Sequence, residues 1–284
     1  MTRRLLSLAA IPLSLLGHLI LWPNSVMLLR LLQLRGDVDV LALLLVIVGI
    51  AIILTAVATL SIGSLGLGIV GCVQLLFSLG FHLLPFDFRA ESFTPSFDIM
   101  NAVRGLSMEV SDGMFSYFPP GIGAIVGGIM LGAALGAARR RVPDPVDGGA
   151  TRDRVVTGLA GIIGLLGIVL ALAGGAGAYV RQLVTLQGAQ PLDLVMLYGG
   201  VLLIGAVAYA VRWSSAGVVV AGVATAVAGL VGLAVPIVVI GAVSGWQLLG
   251  RGVEIAAPSG LLLLIGLVLL AAGGASRLRA RRVS

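Results

Sequence analysis

RRRVPDPVDGGATRDR, from Arg139 to Arg154, combines proline, glycine and charge with no apolar periodicity. That is the composition of a linker. On either side the chain changes character, with long stretches that hold no Asp, Glu, Lys or Arg. A helix needs about 20 apolar residues to cross a bilayer at 1.5 Å rise per residue. Before the linker, Leu5–Leu29 supplies one such span, and Val40–Phe86 supplies two joined by a turn at Ser61–Gly66. Gly113–Ala138 supplies a fourth, beginning after Pro119-Pro120. After the linker, Val155–Val180, Leu192–Val211, Ser215–Val235 and Ile255–Ser276 supply four more. The reading is an all-α integral membrane protein with eight transmembrane helices.

Composition agrees. The apolar set is 59% of 284 residues, 41 more are glycine, and charged residues are 11%, where a soluble domain carries roughly 25% charged. This excludes an ordinary soluble enzyme, a disordered chain and a secreted disulfide scaffold. The net charge of +6 comes from 18 basic residues, all arginine. They cluster beside apolar stretches, which marks topology, and no basic groove interleaved with aromatics suggests nucleic acid as a partner. Arginine without lysine, among abundant Ala, Gly and Val, points to a bacterial chain. The single cysteine, Cys72, excludes an intrachain disulfide and reads as a small packing residue. With only His18 and His82 besides, neither a metal site nor another cofactor is expected.

The Arg3-Arg4 start followed by an apolar run resembles a signal peptide, but Trp22-Pro23-Asn24 stands where a cleavage site belongs, so a retained first helix is expected. With the N-terminus inside, twelve arginines fall on inner segments and six on outer ones, while nine acidic residues fall outside and three inside. This bias places both termini in the cytoplasm and the chain in the cytoplasmic membrane.

The two sides of the linker read as copies. A shift of 151 pairs Arg30 with Arg181, Gly49 with Gly200, Gly71 with Gly222 and Pro85 with Pro236, with 11 identities in 59 positions. A shift of 138 pairs Pro120 with Pro258, Gly128 with Gly266 and Arg139 with Arg277, with 9 identities in 22. The expected organisation is a four-helix repeat over 1–141, a cytoplasmic linker over 142–154 and a second repeat over 155–284. An even number of spans per copy makes the repeats parallel, with their pseudo-two-fold along the membrane normal.

Few residues suggest chemistry. Gln74, Ser78 and His82 recur every fourth residue on one face of the third span. They form a candidate polar cleft or, alternatively, interhelical hydrogen bonds. The corresponding positions in the second copy are Thr225, Gly229 and Leu233, so only one copy is polar. Glu109 and Glu254, in the matched strings Gly105-x-x-x-Glu109 and Gly250-x-x-x-Glu254, are candidate paired outer-loop carboxylates, or else caps of the helices they precede. Gly128, Gly132 and Gly136, and Gly158, Gly161, Gly164 and Gly167, predict close helix packing. No serine has a histidine and an acid at recognisable spacing, so no catalytic residue is assigned.

The outer loop 87–118 is the longest polar segment. Thr94-Pro95 reads as a helix start. Phe97, Met100, Val103 and Leu106 then predict a short amphipathic helix at the outer interface, and Phe115, Tyr117 and Phe118 an aromatic belt. Two functions fit. One is a non-enzymatic scaffold or accessory subunit of the cell envelope, presenting 87–118 to an envelope protein partner. The other is a transporter or permease for a small or amphiphilic solute, with a cleft between the repeats.

Overall fold

Hydrocarbon offers backbone N–H and C=O groups no partner, so a chain this apolar must satisfy them within helices. In the computed structural model, described over residues 2–33, 39–83, 95–139, 149–184, 189–212 and 215–281, every regular element among the described residues is helical. A short helix α1 (Thr2–Ser7) leads into α2 (Ala10–Gln33), followed by α3 (Val40–Ala58) and α4 (Leu65–Leu83). Then come α5 (Pro95–Leu106), α6 (Met108–Tyr117) and α7 (Ile122–Ala138). Beyond the linker lie α8 (Gly149–Tyr179), α9 (Pro191–Tyr209), α10 (Ala216–Ala234), α11 (Pro236–Val243), α12 (Gln247–Ala256) and α13 (Leu261–Arg281). Since α8 begins at Gly149, the end of the expected linker, 149–154, is helical; its start, 142–148, lies outside the described residues, as does 87–94 of the long loop.

Among the described residues, seven helical stretches are long and apolar enough to cross a membrane. The span expected after Pro119-Pro120 is α7, which is long enough to cross only when taken together with α6, bent from it by 71°. The bend has a local cause. Pro119-Pro120 cannot continue a helix, and Gly121 takes φ 81°, the left-handed conformation open to glycine. Gly260, with φ 77°, makes the same turn between α12 and α13. Elsewhere the ends follow their sequence. The Asp39 carboxylate accepts from the Leu41 and Ala42 amides at 2.8 and 3.2 Å to cap α3, and Pro191 opens α9 where its missing N–H is harmless.

Glycines set how near the helices come. On α2 and α3, a Cβ at Gly17 or at Gly49 would lie 2.9 Å from the other residue's carbonyl oxygen. On α8 and α9, a Cβ at Gly167 would lie 2.9 Å from the Gly200 carbonyl. The α4–α7 crossing is held the same way by Gly71 and Gly127, and the α10–α13 crossing by Gly222 and Gly266. At the centre α7 packs on α9 and on α13, and α13 also packs on α3. Lipid tails are as apolar as leucine, so close van der Waals contact between backbones, rather than apolar burial, holds such a bundle together. Large apolar side chains on the other faces, among them Leu44, Val73, Leu202 and Val227, are exposed and meet the bilayer.

Candidate functional site

The stripe on α4 does not act as one unit. Gln74, Ser78 and His82 are all buried, but they face different neighbours. Gln74 points to α2 and α6, where its Oε1 accepts from the Tyr117 hydroxyl at 3.2 Å and its Nε2 lies 3.4 Å from His18 Nε2. His18 Nδ1 lies 2.7 Å from the Ser14 carbonyl, which can only accept, so Nδ1 carries the proton. Nε2 is then an acceptor, and the Gln74 amide beside it can donate; the Tyr117 hydroxyl also lies 3.1 Å away, but its one proton goes to Gln74 Oε1. His18, Gln74 and Tyr117 thus form a neutral polar cluster within the first half of the chain.

His82 points the other way. Its Nε2 lies 2.8 Å from the Pro119 carbonyl, and its Nδ1 lies 2.8 Å from the Ser78 carbonyl and 2.9 Å from the Tyr198 hydroxyl on α9. Both ring nitrogens face a carbonyl, so a neutral ring donates to one of them: with the proton on Nε2 it donates to Pro119 and Nδ1 accepts from Tyr198, and with the proton on Nδ1 it donates to Ser78. Between the two sets, Ser78 Oγ is buried with no hydrogen-bond partner among the described residues.

Ser14, His18 and Gln74 line a groove between α2 and α4 with a volume of about 260 Å³. Ile11, Leu15, Ile69 and Val73 make its lips and are all exposed, so the mouth opens sideways into the bilayer. Trp22, Phe77, Met114 and Phe118 make its walls. The aromatic packing is dense: Trp22 lies 5.3 Å from His18 and 5.9 Å from Tyr117, and Phe77 lies 4.5 Å from Phe118, between ring centroids. Gly113 makes this arrangement fit, because any side chain there would collide with Trp22. The expectation that Tyr117 and Phe118 form an interfacial belt is therefore corrected. The bend at Pro119-Pro120 swings α6 onto α2 and buries both rings.

The corresponding crossing of the second half is closely packed at two glycines. There Gly161 lies against Val220 and Gly164 against Ala221, bringing α8 flush with α10. Nor do the halves part at mid-depth, where Gly128, Gly132 and Gly136 on α7 meet Val201, Gly205 and Tyr209 on α9.

The remaining expectations fall elsewhere. Glu109 is exposed in the first turn of α6, within 3.2 Å of the Ser107 hydroxyl. Glu254 is exposed in the third turn of α12 and lines a separate cavity of about 630 Å³, whose lining does not include Glu109. Cys72 is exposed to lipid on α4 rather than packed between helices. The expected amphipathic helix is present as α5, where Val103 packs on the core and Leu106 is 90% exposed. The side chains of Phe97 and Met100 lie outside the described residues.

Tyr117 and Tyr198 carry no sequence signal linking them to their histidines, being 99 and 116 residues away. Only Trp22, one turn after His18, hinted at a polar–aromatic patch on the first span. Comparison with family models, with curated proteins and with solved structures gave no match.

Proposed function

We propose that this chain is a non-enzymatic membrane subunit that takes an uncharged amphiphile from the bilayer into the groove between α2 and α4. The observation behind this reading is that Ser14, His18 and Gln74 line an otherwise apolar groove open to lipid, with Tyr117 buried behind them and hydrogen-bonded to Gln74. An apolar chain gains little by moving from lipid into such a groove, so selection must come from these polar groups. Interhelical hydrogen bonds in membranes average about 0.6 kcal/mol, which favours a molecule that makes one by only about threefold. A charged group at this depth would cost about 2.5–3.5 kcal/mol. The ligand class is therefore a long-chain alcohol or carbonyl compound, bound with modest preference and free to exchange.

Fluorescence tests the reading. With Trp213 and Trp246 replaced by Phe, Trp22 reports on the groove in nanodiscs. A brominated long-chain alcohol should quench it more than a brominated phospholipid at equal bromine content, and Gln74→Leu should remove the excess. Equal quenching by both would refute the proposal.

A scaffold role keeps its own support in the exposed apolar residues Ile99, Leu106 and Met108 on α5 and α6. An envelope partner docked there should co-purify with the full chain and be lost on deletion of 90–112, while the bundle stays folded.

The frame proposed for both readings is two tandem parallel four-helix repeats in the cytoplasmic membrane of a bacterium, with both termini cytoplasmic. The glycine crossings support it: Gly17/Gly49 resembles Gly167/Gly200, and Gly71/Gly127 resembles Gly222/Gly266. Reporter fusions at Ser284 and at residue 145 test it, since both should report the cytoplasm.

A further inference from the structure

The second cavity lies at the end of the bundle that carries Arg30 and Arg181, between α2 and α6 on one side and α8 and α12 on the other. Its walls are of two kinds. Leu29, Val180 and Ile255 are apolar, while Tyr179, Arg251 and Glu254 offer a hydroxyl, a cation and a carboxylate.

The charges on these walls follow from a comparison of the two halves. Helices α6 and α12 are each ten residues long, and each is followed by a glycine of positive φ four residues after its last residue. In this register, which replaces the string match of Glu109 with Glu254 and sets Glu109 opposite Leu248, Asp112, the fifth residue of α6, corresponds to Arg251, the fifth residue of α12. Asp112 is neutralised by Arg30 at 2.6 Å. The arginine matching Arg30 is Arg181, and with no carboxylate at position 251 it pairs instead with Asp193 on α9 at 2.8 Å. The reversal of charge at this one position leaves Arg251 facing the cavity with no ion pair among the described residues. Glu254, three residues on and lining the same cavity, makes none either among them.

A cation and a carboxylate that line one cavity without pairing suit a ligand carrying both opposite charges. An anion alone would be repelled by Glu254, and a cation alone by Arg251. We infer that this cavity binds an aminoethyl phosphate group, with its phosphate oxygens on Arg251 and its ammonium on Glu254. The group could be a phosphatidylethanolamine headgroup or free phosphoethanolamine. The apolar wall at Leu29, Val180 and Ile255 would take the acyl chains of the lipid. Arginine favours phosphate through its planar fork of donors.

Native mass spectrometry of the full-length protein, offered phosphatidylethanolamine, phosphatidylglycerol or free phosphoethanolamine, tests the inference. Wild-type protein should retain phosphatidylethanolamine over phosphatidylglycerol. Arg251→Gln should lower that retention roughly tenfold, the scale of a lost hydrogen bond to a charged group. Glu254→Gln should reverse the preference toward the anionic phosphatidylglycerol, a gain that loss of folding cannot mimic. Displacement of the lipid by free phosphoethanolamine would identify the soluble compound as a sufficient ligand, and its failure would identify the lipid. Equal retention of both lipids by wild type, or a preference that neither substitution moves, would overturn the inference.

Discussion

Tyr198 on α9 and His82 on α4 meet at 2.9 Å, a hydrogen bond that joins the two halves of the chain inside the membrane. Because His82 Nε2 is directed at the Pro119 carbonyl at 2.8 Å, the same imidazole ties α4, the α6–α7 bend and α9 together. Tyr198→Phe removes the hydroxyl and little else. Such bonds average about 0.6 kcal/mol in double-mutant cycles and reach about 1.7 at most. Unfolding in mixed micelles should show a loss in this range, with coupling of similar size in a cycle that includes His82→Phe. Strict additivity of the two substitutions would contradict the bond.

Gly132 and Gly274 stand in opposite surroundings. A Cβ at Gly132 would collide with the Gly205 backbone on α9, while one at Gly274 would meet nothing within 4 Å. Gly132→Ala should therefore destabilise the bundle by about 1–3 kcal/mol through overpacking that no side-chain rotation relieves. Gly274→Ala should be neutral or stabilise by up to about 1 kcal/mol, because alanine is the better helix former. Thermal unfolding of the two variants in one detergent compares them directly, and equal effects would contradict the α7–α9 geometry.

The two ion pairs should respond differently to substitution. Arg30 and Asp112 are exposed by 58% and 20%, whereas the Asp193 side chain is only 4% exposed beside Arg181. Solvent and salt weaken the first pair to at most about 1 kcal/mol. Removing Asp193 strands the Arg181 charge in a less hydrated place and also takes an acceptor from the Gln190 amide, 3.4 Å from its Oδ2. Asp193→Ala should cost about 3 kcal/mol and Asp112→Ala under 1. The Asp112 effect should fade in high salt, and stability curves at low and high ionic strength would show whether it does.

The spans were legible because a bilayer leaves an apolar chain one option, so charge-free runs of sufficient length locate helices directly. Ser61–Gly66 was legible as a turn for the same reason, and α4 begins within it at Leu65. The face shared by Gln74, Ser78 and His82 followed from helical spacing. Its division did not, because the partners of that face come from α2, α6 and α9, and a sequence period describes one helix without naming its neighbours. Phe118 and Tyr117 misled for a related reason. Aromatic residues beside prolines near a span end resemble an interfacial belt, and only the 71° bend shows that they turn inward. The groove was not legible at all, since it depends on how far apart α2 and α4 stand.

Val73 offers a way to close the groove without touching the polar cluster. It stands on the groove's lip and is 58% exposed. Val73→Phe should block entry of the brominated alcohol and abolish its excess quenching of Trp22. The unfolding midpoint should barely move, since surface changes away from buried features stay within about ±0.5 kcal/mol. Persistence of the excess signal in this variant would place the quencher elsewhere.

The glycine ladder of α7, at Gly128, Gly132 and Gly136, leaves the chain no slack along its midline. Sliding one half past the other would drive the Val201 side chain and the Tyr209 backbone into neighbouring turns. The midline is thereby a keel, and any rearrangement that admits or releases a guest must occur in the outer helices while the centre stays still. Spin labels on α7 and α9 should keep one fixed separation in every state of the protein, and labels on α2 and α4 should not.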